Sequence, residues 1–145
     1  MASDFTVRIG EPDDHRMVYK FTADKCRFVP YYVDLDAKSY TNMINTVVAK
    51  MLKDWTLLIA FVTAVPAEAA GFIVCKPGKA LGTLFVKPDY RRKGVARLLL
   101  QASRLGARFP TVLGSPRAFK LAREKGLEVQ FSPYFGIMED VTHNG

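Results

Sequence analysis

The sequence predicts an α/β (α+β) domain, a mixed central sheet of about seven strands flanked by about four helices. Three observations carry that expectation. Short runs rich in β-forming residues recur along the chain; other stretches repeat apolar residues at the three-and-four spacing of a helix; and Pro, Gly and Asp punctuate the joins. With 145 residues and neither an internal repeat nor a low-complexity tract, residues 1–145 read as a single domain.

Phe5 to Ile9 alternates as FTVRI, which reads as a strand, and Pro12-Asp13-Asp14 supplies a cap and early acids for a helix carrying Met17, Val18 and Phe21 on one face. The segment Phe28-Val29-Pro30-Tyr31-Tyr32 is aromatic and interrupted by proline, so it reads as a packed loop. A second helix starts after Asp36 and ends near Lys53. Its apolar face is Tyr40, Met43, Ile44, Val47, Val48, Met51 and Leu52.

Trp55 to Val62 and Gly71 to Lys76 read as neighbouring strands joined by Thr63 to Ala70, which contains Pro66. After the Pro77-Gly78 turn comes a strand from Leu81 to Val86, stopped by Pro88. The following helix should bury Val95, Leu98, Leu99, Ala102 and Leu105 and end near Gly106. Thr111 to Gly114 reads as a short strand, and Ser115-Pro116 opens a helix that Gly126 closes. Strands at Leu127 to Phe131 and Tyr134 to Glu139 complete the series.

Hydrophobic residues make up 49% and charged residues 24%, the balance of a globular chain. No apolar run is long enough to span a membrane, and the N-terminus has no signal-peptide pattern, so no membrane partner and a cytoplasmic location are expected. Cys26 and Cys75 lack CxxC spacing and a histidine cluster, and His15 and His143 have no partners at ligand spacing. No metal site is expected.

The formal charge of +7 points to an anionic partner, and basic residues concentrate between Lys87 and Arg108, including the contiguous Arg91-Arg92-Lys93. A helix that starts just after a strand, with a glycine permitting close approach and cations beside it, suits a pyrophosphate. Nucleic acid is not expected as the partner. There is no RNP-type aromatic strand, zinc spacing or helix-turn-helix signal.

On these residues the chain resembles the GNAT (Gcn5-related N-acetyltransferase) superfamily. Arg91-Arg92-Lys93-Gly94-Val95-Ala96 meets that family's R/Q-x-x-G-x-G/A signature, and Val86 and Pro88 supply the valine and proline expected before it. An Asn-x-x-Ala helix closing on Gly-Phe is echoed by Ser115-x-x-Ala118 and Gly126-Leu127. The strand and helix order agrees over nearly the whole chain.

The resemblance implies a GNAT fold that uses acetyl-CoA or another acyl-CoA. The site residues then follow from it. Backbone N–H groups from Arg92 to Ala96, following Arg91 and with Arg97 just inside the helix, would bind the pyrophosphate; Ser115 opens the second family segment. Leu84, Phe85 and Val86 would bond the pantetheine arm through their backbone, and the N–H of Leu84 would donate to the thioester carbonyl. Phe28, Tyr31 and Tyr32 fall where the family lines its acceptor side, and core packing is the competing role for them.

Two catalytic side chains of the family are absent. The glutamate that serves as base in several members is Ala80 here, and the tyrosine that protonates the leaving thiolate is Ala122. A thiol with pKa about 8.5 leaves tolerably without an acid, whereas an amine with pKa about 10.4 needs a base or a water relay. Tyr134 is the first substitute and Asp34 or Asp36 the next; a packed aromatic and turn or cap residues are their competing roles.

Two function classes follow. The first is an N-acetyltransferase moving an acetyl group to a small amine or a protein amine by direct attack. The second is a GNAT-fold protein that binds and modulates another protein with weak or no catalysis, similar to accessory proteins of some bacteriophages.

Overall fold

The computed structural model describes residues 4–27, 34–113 and 116–132. The elements follow as β1 (Phe5–Ile9), α1 (His15–Cys26), α2 (Ala37–Asp54), β2 (Thr56–Val62), β3 (Val65–Lys76), β4 (Ala80–Val86), α3 (Val95–Ser103), β5 (Arg108–Thr111), α4 (Pro116–Glu124) and β6 (Glu128–Phe131). Single 3-10 turns occupy Pro12–Asp14 and Pro88–Tyr90.

The six described strands form one sheet in chain order, β1 to β6. β1 to β4 are antiparallel neighbours, and β5 and β6 join in parallel. The mixed sheet with flanking helices is the architecture that the sequence predicts. The seventh expected strand, at 134–139, lies outside the described residues.

Alternation along the strands divides the core into two faces. On one face Leu57, Ile59, Phe72, Val74 and Ala80 pack with Val18 and Cys26 of α1 and with Tyr40, Ile44, Val48 and Met51 of α2. The other face joins Phe5, Ala60, Ile73, Cys75 and Leu81 to Val95 and Leu99 of α3. Burying one such aliphatic side chain contributes about 2 kcal/mol, so α2 and α3 are held by their apolar stripes more than by propensity.

Asp36 caps α2, accepting from the N–H and the hydroxyl of Ser39, each at 2.8 Å. At the other helix entry, Asp14 accepts both terminal guanidinium nitrogens of Arg8 at 2.7 and 2.9 Å, and the N–H of Glu11 at 2.8 Å. The end of β1 is thereby tied to the start of α1.

Three expectations are corrected. Thr63 to Ala70 is not a connection: β3 already begins at Val65 and includes Pro66. Proline is accommodated because β4 pairs only from Gly71 onward and the β2 register shifts beside it, so a missing N–H breaks no regular ladder. The strand expected at Thr111 to Gly114 is Arg108–Thr111 instead. Its ladder with β6 runs from Arg108 to Thr111, and only the N–H groups of Val112 and Leu113 continue along β4, to Leu81 O and Gly82 O at 2.9 Å.

In α3 the inward residue near the end is Ser103, fully buried, while Ala102 is exposed. The helix stops at Ser103 with Arg104 left-handed at φ 59°, ahead of Gly106. Ser103 satisfies its hydroxyl on Leu100 O at 2.7 Å, and its carbonyl accepts the N–H of Gly78, which closes the turn between β3 and β4 against the helix.

Candidate functional site

β4 changes character halfway along. Its first four residues, Ala80 to Thr83, are buried, and the last three, Leu84 to Val86, are part-exposed. Its pairing with β5 has one register partner, Leu81 with Thr111, extended by the two bonds from Val112 and Leu113. Beyond Gly82 the strand keeps β3 on one side and has no described strand on the other.

Gly82 is also a bulge. Val74 pairs with Thr83 and Cys75 with Leu81, so Gly82 has no partner on β3. Leu81 and Gly82 both direct their carbonyls to β5, and from Gly82 the normal alternation turns Leu84 and Val86 away from β3 as well. The acceptors agree: Leu84 O receives Lys25 Nζ at 2.6 Å, and Val86 O receives Arg91 Nε at 3.1 Å. Only glycine fits at the bulge, because a Cβ there would stand 2.7 Å from Met51 Sδ and 2.8 Å from Val74 O.

The side chain of Phe85 faces the helices, stacked on Phe21 of α1 with ring centroids 4.5 Å apart. Beside it the hydroxyls of Thr22 and Thr83, both fully buried, meet at 3.4 Å. Phe21, Thr22 and Lys25 therefore form one face of α1 laid across Thr83 to Phe85. Lys25 reaches the strand edge from that face.

The chain leaves β4 through the 3-10 turn and starts α3 at Val95. Arg92 and Gly94 both have positive φ, 64° and 86°, with Lys93 between them at negative φ. Alternating hands of this kind turn successive N–H groups toward one side, an anion-binding concavity. Gly94 caps the helix, and the first intrahelical bond runs from Leu98 N–H to Gly94 O at 3.0 Å. The N–H groups of Val95, Ala96 and Arg97 thus have no intrahelical acceptor.

Nothing lies within 4 Å of where a Cβ on Gly94 would stand, so the approach to these groups is open. Arg92, Lys93 and Arg97 are exposed around it. Arg91 turns back to the strand, its guanidinium carbon 6.0 Å from the Phe85 ring centre. Lys93 lies over Tyr90 at 5.7 Å.

Residues 55–126, about half of the chain, match the family described as an acetyltransferase (GNAT) domain. The chain belongs to the GNAT superfamily. Among solved structures, ribosomal-protein-alanine N-acetyltransferase from Brucella melitensis biovar Abortus 2308 is 14% identical over 83% of this chain and 87% of that one, with a TM-score of 0.50. A GCN5-related N-acetyltransferase from Rhodopseudomonas palustris is 19% identical over 96% and 78%, at 0.48. The PaiA N-acetyltransferase of Thermoplasma acidophilum, solved in complex with coenzyme A, is 18% identical over 85% and 74%, at 0.45. No curated protein matches the sequence.

Against this GNAT frame the expected cofactor residues fall into two adjoining groups, the outer edge of β4 at Leu84 to Val86 and the turn from Arg91 to Arg97. Ala80 is fully buried under α2, and Ala122 lines an apolar groove with Phe119, Leu127, Val129 and Phe131. Alanine at these two positions supplies neither an acid nor a base. Asp36 is committed to its cap, and the Ser39 hydrogen bonds hold its carboxyl below the usual range, which makes it a poor proton acceptor. Asp34 is exposed. Phe28, Tyr31, Tyr32, Ser115 and Tyr134 lie outside the described residues.

Lys25, seated on the outer edge of β4 beside the expected cofactor residues, is a residue that the sequence reading does not single out. A signal was present, since Lys25 falls three and four residues after Thr22 and Phe21, on the inward face of α1. A lysine there is easily taken for a solvated helix end.

Proposed function

We propose that this GNAT protein is an acetyl-CoA-dependent N-acetyltransferase that moves the acetyl group to an amine by direct attack. The observation that carries the reading is the outer edge of β4, which no described strand covers beyond Gly82, running into the open N-terminus of α3. The residues suit the cofactor. The N–H groups from Arg92 to Ala96 would hold the pyrophosphate, with Arg97 and Lys93 adding positive charge, and Gly94 leaves room for its approach.

The outer backbone of Leu84 to Val86 would take the pantetheine arm as an added strand, and the N–H of Leu84 would donate to the thioester carbonyl oxygen. A donor fixed at that oxygen stabilises the charge that grows there during attack. The thioester supplies an activated acyl group and a leaving group of thiol pKa about 8.5. The amine must arrive, or become, uncharged.

Calorimetry with acetyl-CoA tests the reading, together with Gly94→Leu. Leu at a left-handed position costs about 1 to 2 kcal/mol of stability and would stand in the open approach, so affinity should fall at least tenfold. Absence of binding by the parent chain at millimolar acetyl-CoA would overturn the proposal.

A second reading, a GNAT-fold protein that binds and modulates another protein with weak or no catalysis, is favoured by the alanines at 80 and 122. Multiple turnover on a small amine, followed by coenzyme A release, excludes a pure binder. Binding of acetyl-CoA without release, with a protein partner retained in pull-down, supports the second reading.

A further inference from the structure

Among the described residues, two cations reach the outer edge of β4. Arg91 holds Val86 O through a guanidinium that stays charged at any physiological pH, but the group on Leu84 O is a primary amine, Lys25 Nζ, at 2.6 Å. A residue in extended backbone presents its N–H and C=O to the same side. Lys25 Nζ therefore sits next to the N–H that, on the acetyltransferase reading, holds the thioester carbonyl.

The surroundings of this amine are partly apolar. Lys25 is part-buried between α1 and β4, beside the Phe21 and Phe85 stack and the buried Thr22 and Thr83 pair. No carboxylate is paired with it among the described residues, where the carboxylates of Asp14, Glu68 and Glu128 pair with Arg8, Lys87 and Arg108. Burial pushes its amine below the ordinary lysine value. The neighbouring Cys26 thiol is itself pushed up by burial and stays protonated, so it does not restore the ammonium form.

From this placement we infer that Lys25 is an acetyl acceptor: the protein acetylates its own Lys25 from bound acetyl-CoA. The inference rests on the acetyltransferase reading of the site. The neutral Nζ attacks the thioester carbonyl carbon, a C–N bond forms, the C–S bond breaks, and coenzyme A departs as the thiolate. The proton lost from nitrogen passes to solvent or to the thiolate, leaving an amide and free coenzyme A. The modified side chain keeps one N–H for Leu84 O, and its acetyl group occupies space beside the Leu84 N–H.

The test uses the full chain and acetyl-CoA with no added acceptor. Calorimetry reports binding, and peptide mass spectrometry reports acetylation at every lysine over time. Lys25 should gain one acetyl group at a rate that saturates with acetyl-CoA, about tenfold or more faster than exposed Lys20 and Lys38, because a positioned amine reacts at high effective concentration. Lys25→Arg should bind acetyl-CoA and show no preferred site. Gly94→Leu should slow modification of Lys25 while leaving the slow labelling of Lys20 and Lys38 unchanged. Binding without preferential labelling of Lys25 overturns this inference and leaves the cofactor reading standing, whereas loss of both binding and labelling overturns the two together.

Discussion

Ala80 to Gly82 and Leu84 to Val86 are consecutive parts of one strand, yet the first three residues are shut between β3 and β5 while the last three have a described strand on one side alone. On the face beneath α2 the closed half carries only Ala80 and Gly82, with Met51 and Trp55 against Gly82, while Leu81 packs on the opposite face. In the open half Phe85 stacks on Phe21 of α1, and the outer backbone of Leu84 to Val86 has no described strand beside it. The lesson is that an interruption of the ladder, a single bulged residue, separates a segment closed on both sides from one open on its outer side.

Gly82→Val attacks the boundary and has the largest expected effect. Its Cβ would meet Met51 Sδ and Val74 O at distances that require the backbone to move, and overpacking of this kind costs about 3 kcal/mol. Urea unfolding should show that loss, and acetyl-CoA affinity should fall with it because the alternation that turns Leu84 outward begins at Gly82.

Thr83→Val tests the hinge between the halves more gently. The change keeps the volume and strips the Thr22 hydroxyl of its buried partner, an expected cost of about 1.5 kcal/mol in chemical denaturation. Acetyl-CoA affinity should change little, since Thr83 presents its backbone to β3. A large loss of affinity would mean that the open half depends on the packing beneath it.

Asp14→Asn gives the smallest effect and serves as a remote control. Hydrogen bonds from Arg8 lower the Asp14 pKa, so the folded value lies below the unfolded one. Such a group stabilises the protein above the unfolded pKa, and the contribution disappears as pH falls through the folded pKa. Part of the pair is exposed, which limits its worth to about 0.5 to 1 kcal/mol. The variant should be weaker in urea at neutral pH, equal to the parent in strong acid, and unchanged in acetyl-CoA binding.

Much of this arrangement was legible in the residues themselves. β1 begins and ends where FTVRI does, and α2 buries Tyr40, Ile44, Val48 and Met51 from the stripe that its spacing marks. Gly94 in the basic turn stands at the start of α3 with open space around it, as the glycine before that helix suggests. The misreadings have a common cause. Proline reads as a strand breaker, yet Pro66 falls where β3 lacks a second described neighbour, and β5 begins three residues before the expected Thr111 because its partners are β4 and β6 rather than anything nearby in the chain.

What the sequence by itself determined is local: periodicity selected the helices, β-forming runs selected the strands, and the glycine and cations after Pro88 marked the helix start in the GNAT signature. The tertiary structure decided the rest. The bulge at Gly82, the end of β5 pairing and the seat of Lys25 on Leu84 O, 59 residues away in the chain, all depend on which strands and helices come to lie side by side. Hydrogen-bond partners for a strand edge are set by its neighbours in space, and no pattern within a short window specifies them.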